Sequence, residues 1–128
     1  MTAAEPEDRA NRLGRIVDRL GSQRAGGERV LRFEGESSEG TALVESRDRQ
    51  LRLWIPPARR SALETMLERF PVFKIQQPET RKAPAEVVNI AVLADVPHTA
   101  QFLDGLLCDL HGLGSEYTLQ ISSERSAD

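Results

Sequence analysis

Leu51, Leu53 and Ile55 fall on one face of an extended segment, Arg52 and Trp54 fall on the other, and Pro56-Pro57 stops the segment because proline gives no N–H to a ladder. A chain with such a strand must build a sheet that is core on one side and partly wet on the other. Two further β-type runs precede it, Val30 to Glu34 and Ala42 to Glu45, separated by the turn-rich stretches Gly35–Gly40 and Ser46–Arg49. Connections this short predict an antiparallel meander.

Helical periodicity brackets the meander. Leu13, Ile16, Val17 and Leu20 stand at i, i+3, i+4 and i+7 and predict a helix over 7–21, ended by Gly21. Pro57 suits a first helical position and opens a second helix that runs to about Arg69. Its expected buried stripe is Ala62, Leu63, Met66, Leu67 and Phe70, with Arg59, Arg60, Glu64, Glu68 and Arg69 in solvent. A fourth strand, Val72 to Gln76, leads through a polar loop at 77–85, expected to be mobile, into a fifth, Glu86 to Ala94, which is the most apolar and is expected at the centre of the sheet. Pro97 opens a third helix over 97–112, ended by Gly112 and Gly114, and Tyr117, Leu119 and Ile121 then alternate with Thr118, Gln120 and Ser122 in a sixth strand.

The prediction is an α+β domain with one largely antiparallel sheet of about six strands and three helices, in the order α-β-β-β-α-β-β-α-β. Residues 1–8 and 123–128 are expected to be disordered, leaving one domain over 9–122. From Gln50 to Ser122 the order β-α-β-β-α-β follows the ferredoxin-like split pattern. The order of the whole chain, with its small size and mild acidity, resembles that of the secretion chaperones of type III systems and similar small dimeric chaperone-like domains. This resemblance covers element order over most of the chain, rests on no motif, and does not extend to the final strand. It implies a dimer that holds a partner polypeptide.

Charge and cysteine content exclude several classes. Residues 1–60 carry 12 basic and 10 acidic side chains and 61–128 carry 5 and 10, so the halves are +2 and −5 and the chain lacks the basic footprint of a nucleic-acid binder. Fifteen of the 17 basic residues are Arg, a bias that a G+C-rich genome explains as readily as anion recognition does. Cys108 is the single cysteine, which rules out an internal disulfide and favours a reducing compartment. The acidic start, Met1-Thr-Ala-Ala-Glu-Pro-Glu-Asp8, does not read as a secretory signal, and no apolar run nears the roughly 20 residues that span a bilayer. A cytoplasmic protein that does not cross a membrane is expected.

Chemistry is sparse. Asp104, Cys108 and His111 stand at i, i+4 and i+7 and would share a helical face, where carboxylate, thiol and imidazole can hold a metal or form a nucleophile with its base. Their bland reading is a small buried hydrophobe at Cys108, a helix-end partner at His111 and a solvated Asp104. His98 is 13 residues from His111, about 20 Å along a helix, so the two cannot share a metal, and Asp95 is expected to initiate the helix. Gly26-Gly27 and Gly112-x-Gly114 lack the context of a phosphate loop. No enzyme, cofactor or metal is expected. Arg12, Arg15 and Arg19, and the pair Arg59-Arg60, read as solvated faces with local pairs such as Asp8 to Arg12.

Phe102, Leu103, Leu106, Leu107, Leu110 and Leu113 cannot all point one way at 100° per residue, and the surplus predicts a two-fold dimer. The favoured function is a non-enzymatic protein-interaction module, chaperone-like or regulatory, with Trp54, Arg59, Arg60, Phe102, Leu106 and Tyr117 as partner-binding residues. The alternative is a small-molecule-sensing domain of ferredoxin-like type with its ligand between helix and sheet; an enzyme using Cys108 and His111 ranks third.

Overall fold

The computed structural model describes residues 8–27, 29–47, 49–76, 87–114 and 116–124. Among these residues, three helices and one six-stranded antiparallel sheet follow in the expected order: α1 (Arg9–Arg24), β1 (Val30–Ser37), β2 (Gly40–Arg47), β3 (Gln50–Trp54), α2 (Arg60–Arg69), β4 (Phe73–Gln76), β5 (Val87–Val92), α3 (Val96–Gly105) and β6 (Thr118–Glu124). A 3-10 turn at Pro57–Arg59 introduces α2, and one π-helical turn, Leu106–Leu110, continues α3. The loop expected at 77–85, residues 1–7 and residues 125–128 lie outside the described residues. Asp8, expected to be disordered, instead caps α1 by accepting the Asn11 N–H at 2.8 Å. Ser123 and Glu124, expected in the tail, pair with β1.

The strands lie in the order β4-β5-β3-β2-β1-β6. A ferredoxin-like split would set β6 beside β3; here the β1–β2 hairpin stands between them and β6 pairs with β1. Strand β5 is interior but next to the edge strand β4, and the central strands are β3 and β2.

The inward residues Leu31, Phe33, Val44, Leu51, Leu53, Val88 and Ile90 form a single core with Ile16 and Leu20 of α1, Leu63 and Met66 of α2, and Phe102 and Leu103 of α3. Phe73 of β4 stacks on Phe102 at 4.1 Å between ring centres, and Phe70 meets Phe102 edge-on at 5.2 Å. The expected stripe of α2 is narrower in fact. Leu63 and Met66 are buried, Leu67 and Phe70 are half-buried, and Ala62 is exposed, because the helix sits at the margin of the core.

Strand β1 runs past Gly35 because this residue is where Leu113 and Tyr117 press on the sheet. A Cβ there would meet Leu113 Cδ1 at 2.6 Å and the Tyr117 ring at 2.9 Å, so only glycine lets them approach. The apolar surplus of the third helix is consumed within the chain. Phe102, Leu103, Leu106, Leu107, Leu110 and Leu113 are each at most 4% exposed, covered by α1, the sheet and the Met66 side of α2.

Candidate functional site

Asp104 is buried at 2% exposure, not solvated, and lies at the centre of a polar cluster where α1, α3 and β6 meet. Arg12, expected on a solvated face, is 0% exposed and donates from Nε to Asp104 Oδ1 at 3.0 Å and from Nη1 to the Tyr117 carbonyl at 3.3 Å. The Tyr117 hydroxyl donates to Asp104 Oδ1 at 2.7 Å, and the guanidinium carbon of Arg12 sits 4.1 Å from the centre of the Tyr117 ring. Exposed Arg9 reaches Asp104 Oδ2 at 3.3 Å. Arg15 also leaves the expected solvated face, donating to the Leu119 carbonyl at 2.9 Å.

Cys108 joins this cluster, its thiol donating to Asp104 Oδ2 at 3.7 Å. Burial, then the Asp104 charge, push the thiol up to about 11, opposite to the shift that activates a nucleophile. Burial and the hydrogen bond to Asp104 likewise raise the Tyr117 hydroxyl. For Arg12, burial works against the charge, but the hydrogen bond and field of Asp104 prevail and hold the guanidinium above its ordinary range. Such a cluster fastens three elements together, and its thiol is poorly suited to attack anything.

His111 does not join Asp104 and Cys108. The i, i+4, i+7 spacing assumes an unbroken α-helix, whereas the His111 N–H returns to the Leu106 carbonyl, five residues back, at 3.0 Å. This wider turn carries His111 off the Cys108 face, and positive φ angles at Gly112 (72°) and Gly114 (86°) take the chain away toward β6. His111 comes to rest beside Arg59, which donates to the Leu110 carbonyl. Burial and then the Arg59 charge lower the imidazole, and its Nε2 is buried with no hydrogen-bond partner among the described residues.

His98 behaves as expected. Its N–H and Nδ1 both bond Asp95 Oδ1, at 2.9 and 2.7 Å, and the carboxylate thereby caps α3 and is held below its usual range. Among the described residues, no group of three His, Cys, Asp or Glu side chains is placed to hold a metal.

The sheet face opposite the core is polar and hydrogen-bonded sideways. Ser122, Arg32, Glu45, Arg52 and Asn89 stand in register across five strands. Arg32 pairs with Glu45 at 3.0 Å and Arg52 donates to Asn89 at 3.1 Å. Trp54 stands one step along this face, 38% exposed and opposite Val87. A shallow hollow of about 290 Å³ is lined by Trp54, Leu43, Ala42, Thr41, Glu34 and His111.

Of the six residues expected to meet a partner, Phe102, Leu106 and Tyr117 are 0% exposed and lie in the core. Trp54 and Arg59 reach the surface, while Arg60 is half-buried, 3.7 Å from Glu64. Sequence reasoning missed Arg12; the signal was its place one position before Leu13 and four before Ile16, on the edge of the buried stripe of α1. It also missed Glu34, Thr41 and Leu43, which only the register of β1 and β2 brings to Trp54.

The chain matches a family of unknown function, DUF7975, over residues 1–124. No curated protein matches it, and no solved structure does.

Proposed function

The chain belongs to the DUF7975 family, whose function is unknown, and we propose that it is a non-enzymatic protein-interaction module that seats a segment of a partner polypeptide in the hollow around Trp54. The observation that carries this reading is a large aromatic side chain, 38% exposed on the sheet face opposite the core, in a hollow lined by apolar, hydroxyl and carboxylate groups. Trp is among the residue types most often dominant in protein recognition, and Glu34 in the same lining favours a partner presenting a basic side chain.

A chaperone-like or regulatory role in the cytoplasm belongs to the same proposal, supported by one free cysteine and by a thiol whose surroundings oppose catalysis. No helix among the described residues is long and apolar enough to cross a membrane. A two-fold dimer belongs to the same proposal and uses the sheet face or the edge strands β4 and β6, since the apolar side chains of α3 are spent inside the chain. The small-molecule alternative is favoured by one observation, a separate cleft where α1 and α3 meet the sheet.

Trp54 is the single tryptophan, so its emission reports directly on the hollow. Peptides selected on an array are titrated calorimetrically against the full chain and against Trp54→Ala, with that emission followed in the parent. Trp54→Ala is expected to weaken binding at least tenfold with an unchanged thermal melt. A peptide that binds Trp54→Ala as well as the parent places its site elsewhere and refutes the proposal.

A further inference from the structure

We infer that the cleft between the C-terminal end of α1, the β2–β3 turn and the first turn of α3 is a binding site for a small soluble oxyanion, a phosphate or carboxylate, held between Arg24 and Arg49. This site is separate from the Trp54 hollow and does not depend on it.

The cleft has a volume of about 150 Å³ and an apolar floor of Leu20 and Val92. Its wall is fixed by reciprocal hydrogen bonds. The Gln23 amide donates to the Ser46 carbonyl at 2.8 Å and to the Arg29 carbonyl at 3.1 Å, while the Ser46 hydroxyl donates to Gln23 Oε1 at 2.7 Å. Thr99 spends its proton on the Asp95 carbonyl at 2.7 Å, which leaves its oxygen to accept from Arg24 Nη2 at 3.4 Å. Arg24 is thereby steered over the cleft.

Two guanidiniums border this space. Arg24, in the last turn of α1, has a structural reason to be there, because cations suit that end of a helix. Arg49 lines the same cleft, and among the described residues its guanidinium has no hydrogen-bond or ion-pair partner. The two are close enough that Arg49, after burial, is the second cause lowering Arg24. Asp95 is the carboxylate whose field partly offsets this, but its Oδ1 is taken by His98. Like charges converging on a preformed polar cleft are completed by an oxyanion, which guanidinium forks bind through charge-assisted bonds. At about 30 Å³ per water, the cleft holds roughly five waters, room for phosphate or a short dicarboxylate.

Isothermal titration of the full chain with inorganic phosphate, and separately with succinate, tests the site at constant ionic strength set by chloride. Arg49 is exposed, so Arg49→Gln is expected to fold, which its thermal melt confirms independently. Binding of either anion that falls at least tenfold in Arg49→Gln, and further in Arg24→Gln/Arg49→Gln, supports the site and says which oxyanion it prefers. No binding of either anion to the parent chain, or a fall of less than tenfold in Arg49→Gln, overturns it.

Discussion

Arg12 and Asp104 are 92 positions apart along the chain and 3.0 Å apart in the folded protein, both almost wholly removed from water. Their pairing joins α1 to α3, and Arg9 and the Tyr117 hydroxyl share the same carboxylate. Asp104→Ala takes the carboxylate from the buried Arg12 guanidinium and from the Tyr117 hydroxyl, and is expected to cost about 3–5 kcal/mol. Replacing both, as Arg12→Met with Asp104→Leu, is expected to recover part of that loss, because the buried guanidinium is gone while the Tyr117 hydroxyl still lacks its acceptor. Urea denaturation of the single and double variants measures the coupling. Equal and additive losses would show that the pair is not a unit.

Two glycines give opposite expectations. At Gly35 a Cβ meets the Tyr117 ring at 2.9 Å, and the ring is held by its own hydrogen bond, so Gly35→Ala is expected to destabilise by about 1–3 kcal/mol. At Gly105 a Cβ meets only the terminal methyl of Met66, at 2.6 Å, which can rotate away, while alanine gains up to about 1 kcal/mol of helix propensity there. Gly105→Ala is expected to be close to neutral. Thermal melts of the two variants side by side separate these outcomes.

Alkaline pH is expected to weaken the fold. Cys108 is raised from an ordinary value of 9.0 to about 11, and Tyr117 is raised from 10.0. Above pH 9 the unfolded chain therefore gives up protons that the folded chain retains. The stabilisation is complete below pH 9 and is lost as pH rises through 9 to 11. Urea midpoints over that range should fall, and Cys108→Ala should flatten the first part of the slope. Alkylation of the native thiol by iodoacetamide should also be slow at neutral pH and accelerate above it.

His111 acts on the acid side with the opposite sign. Its folded value is depressed below 6.5, so the imidazole stays neutral in the fold at a pH where the unfolded chain is already taking up a proton. The contribution is present above pH 6.5 and is lost as pH falls through the lower folded value. His111→Gln should remove this share of the decline, seen as a smaller drop in urea midpoint between pH 7 and pH 5.

Element order was legible because period-2 and period-3.6 patterns do not interconvert and because Pro56-Pro57, Pro71 and Pro97 mark where they change. Strand order was not, since alternation in β6 says which face is inward and nothing about whether β1 or β3 lies beside it. The expected grouping of Asp104, Cys108 and His111 was half right in geometry. Asp104 and Cys108 do meet, and the π turn, invisible to a pattern that assumes 100° per residue, removes His111. Arg12 was misread because an arginine beside an apolar stripe reads as solvated unless a buried carboxylate 92 residues later is known to await it. The Trp54 hollow was legible in one residue only, the others being supplied by register.

The pairing of β6 with β1 sets an order in time. During synthesis β1, β2 and β3 emerge first and can form their meander from local contacts, yet β1 must wait for residues 118–124 before its outer edge is paired. Until then Val30–Ser37 offers an open row of backbone donors and acceptors to any neighbouring chain, and Arg12 has no Asp104 to receive it. The last strand thus serves as a closing latch, and the interval before it arrives is when a nascent copy is most exposed to pairing with the wrong strand.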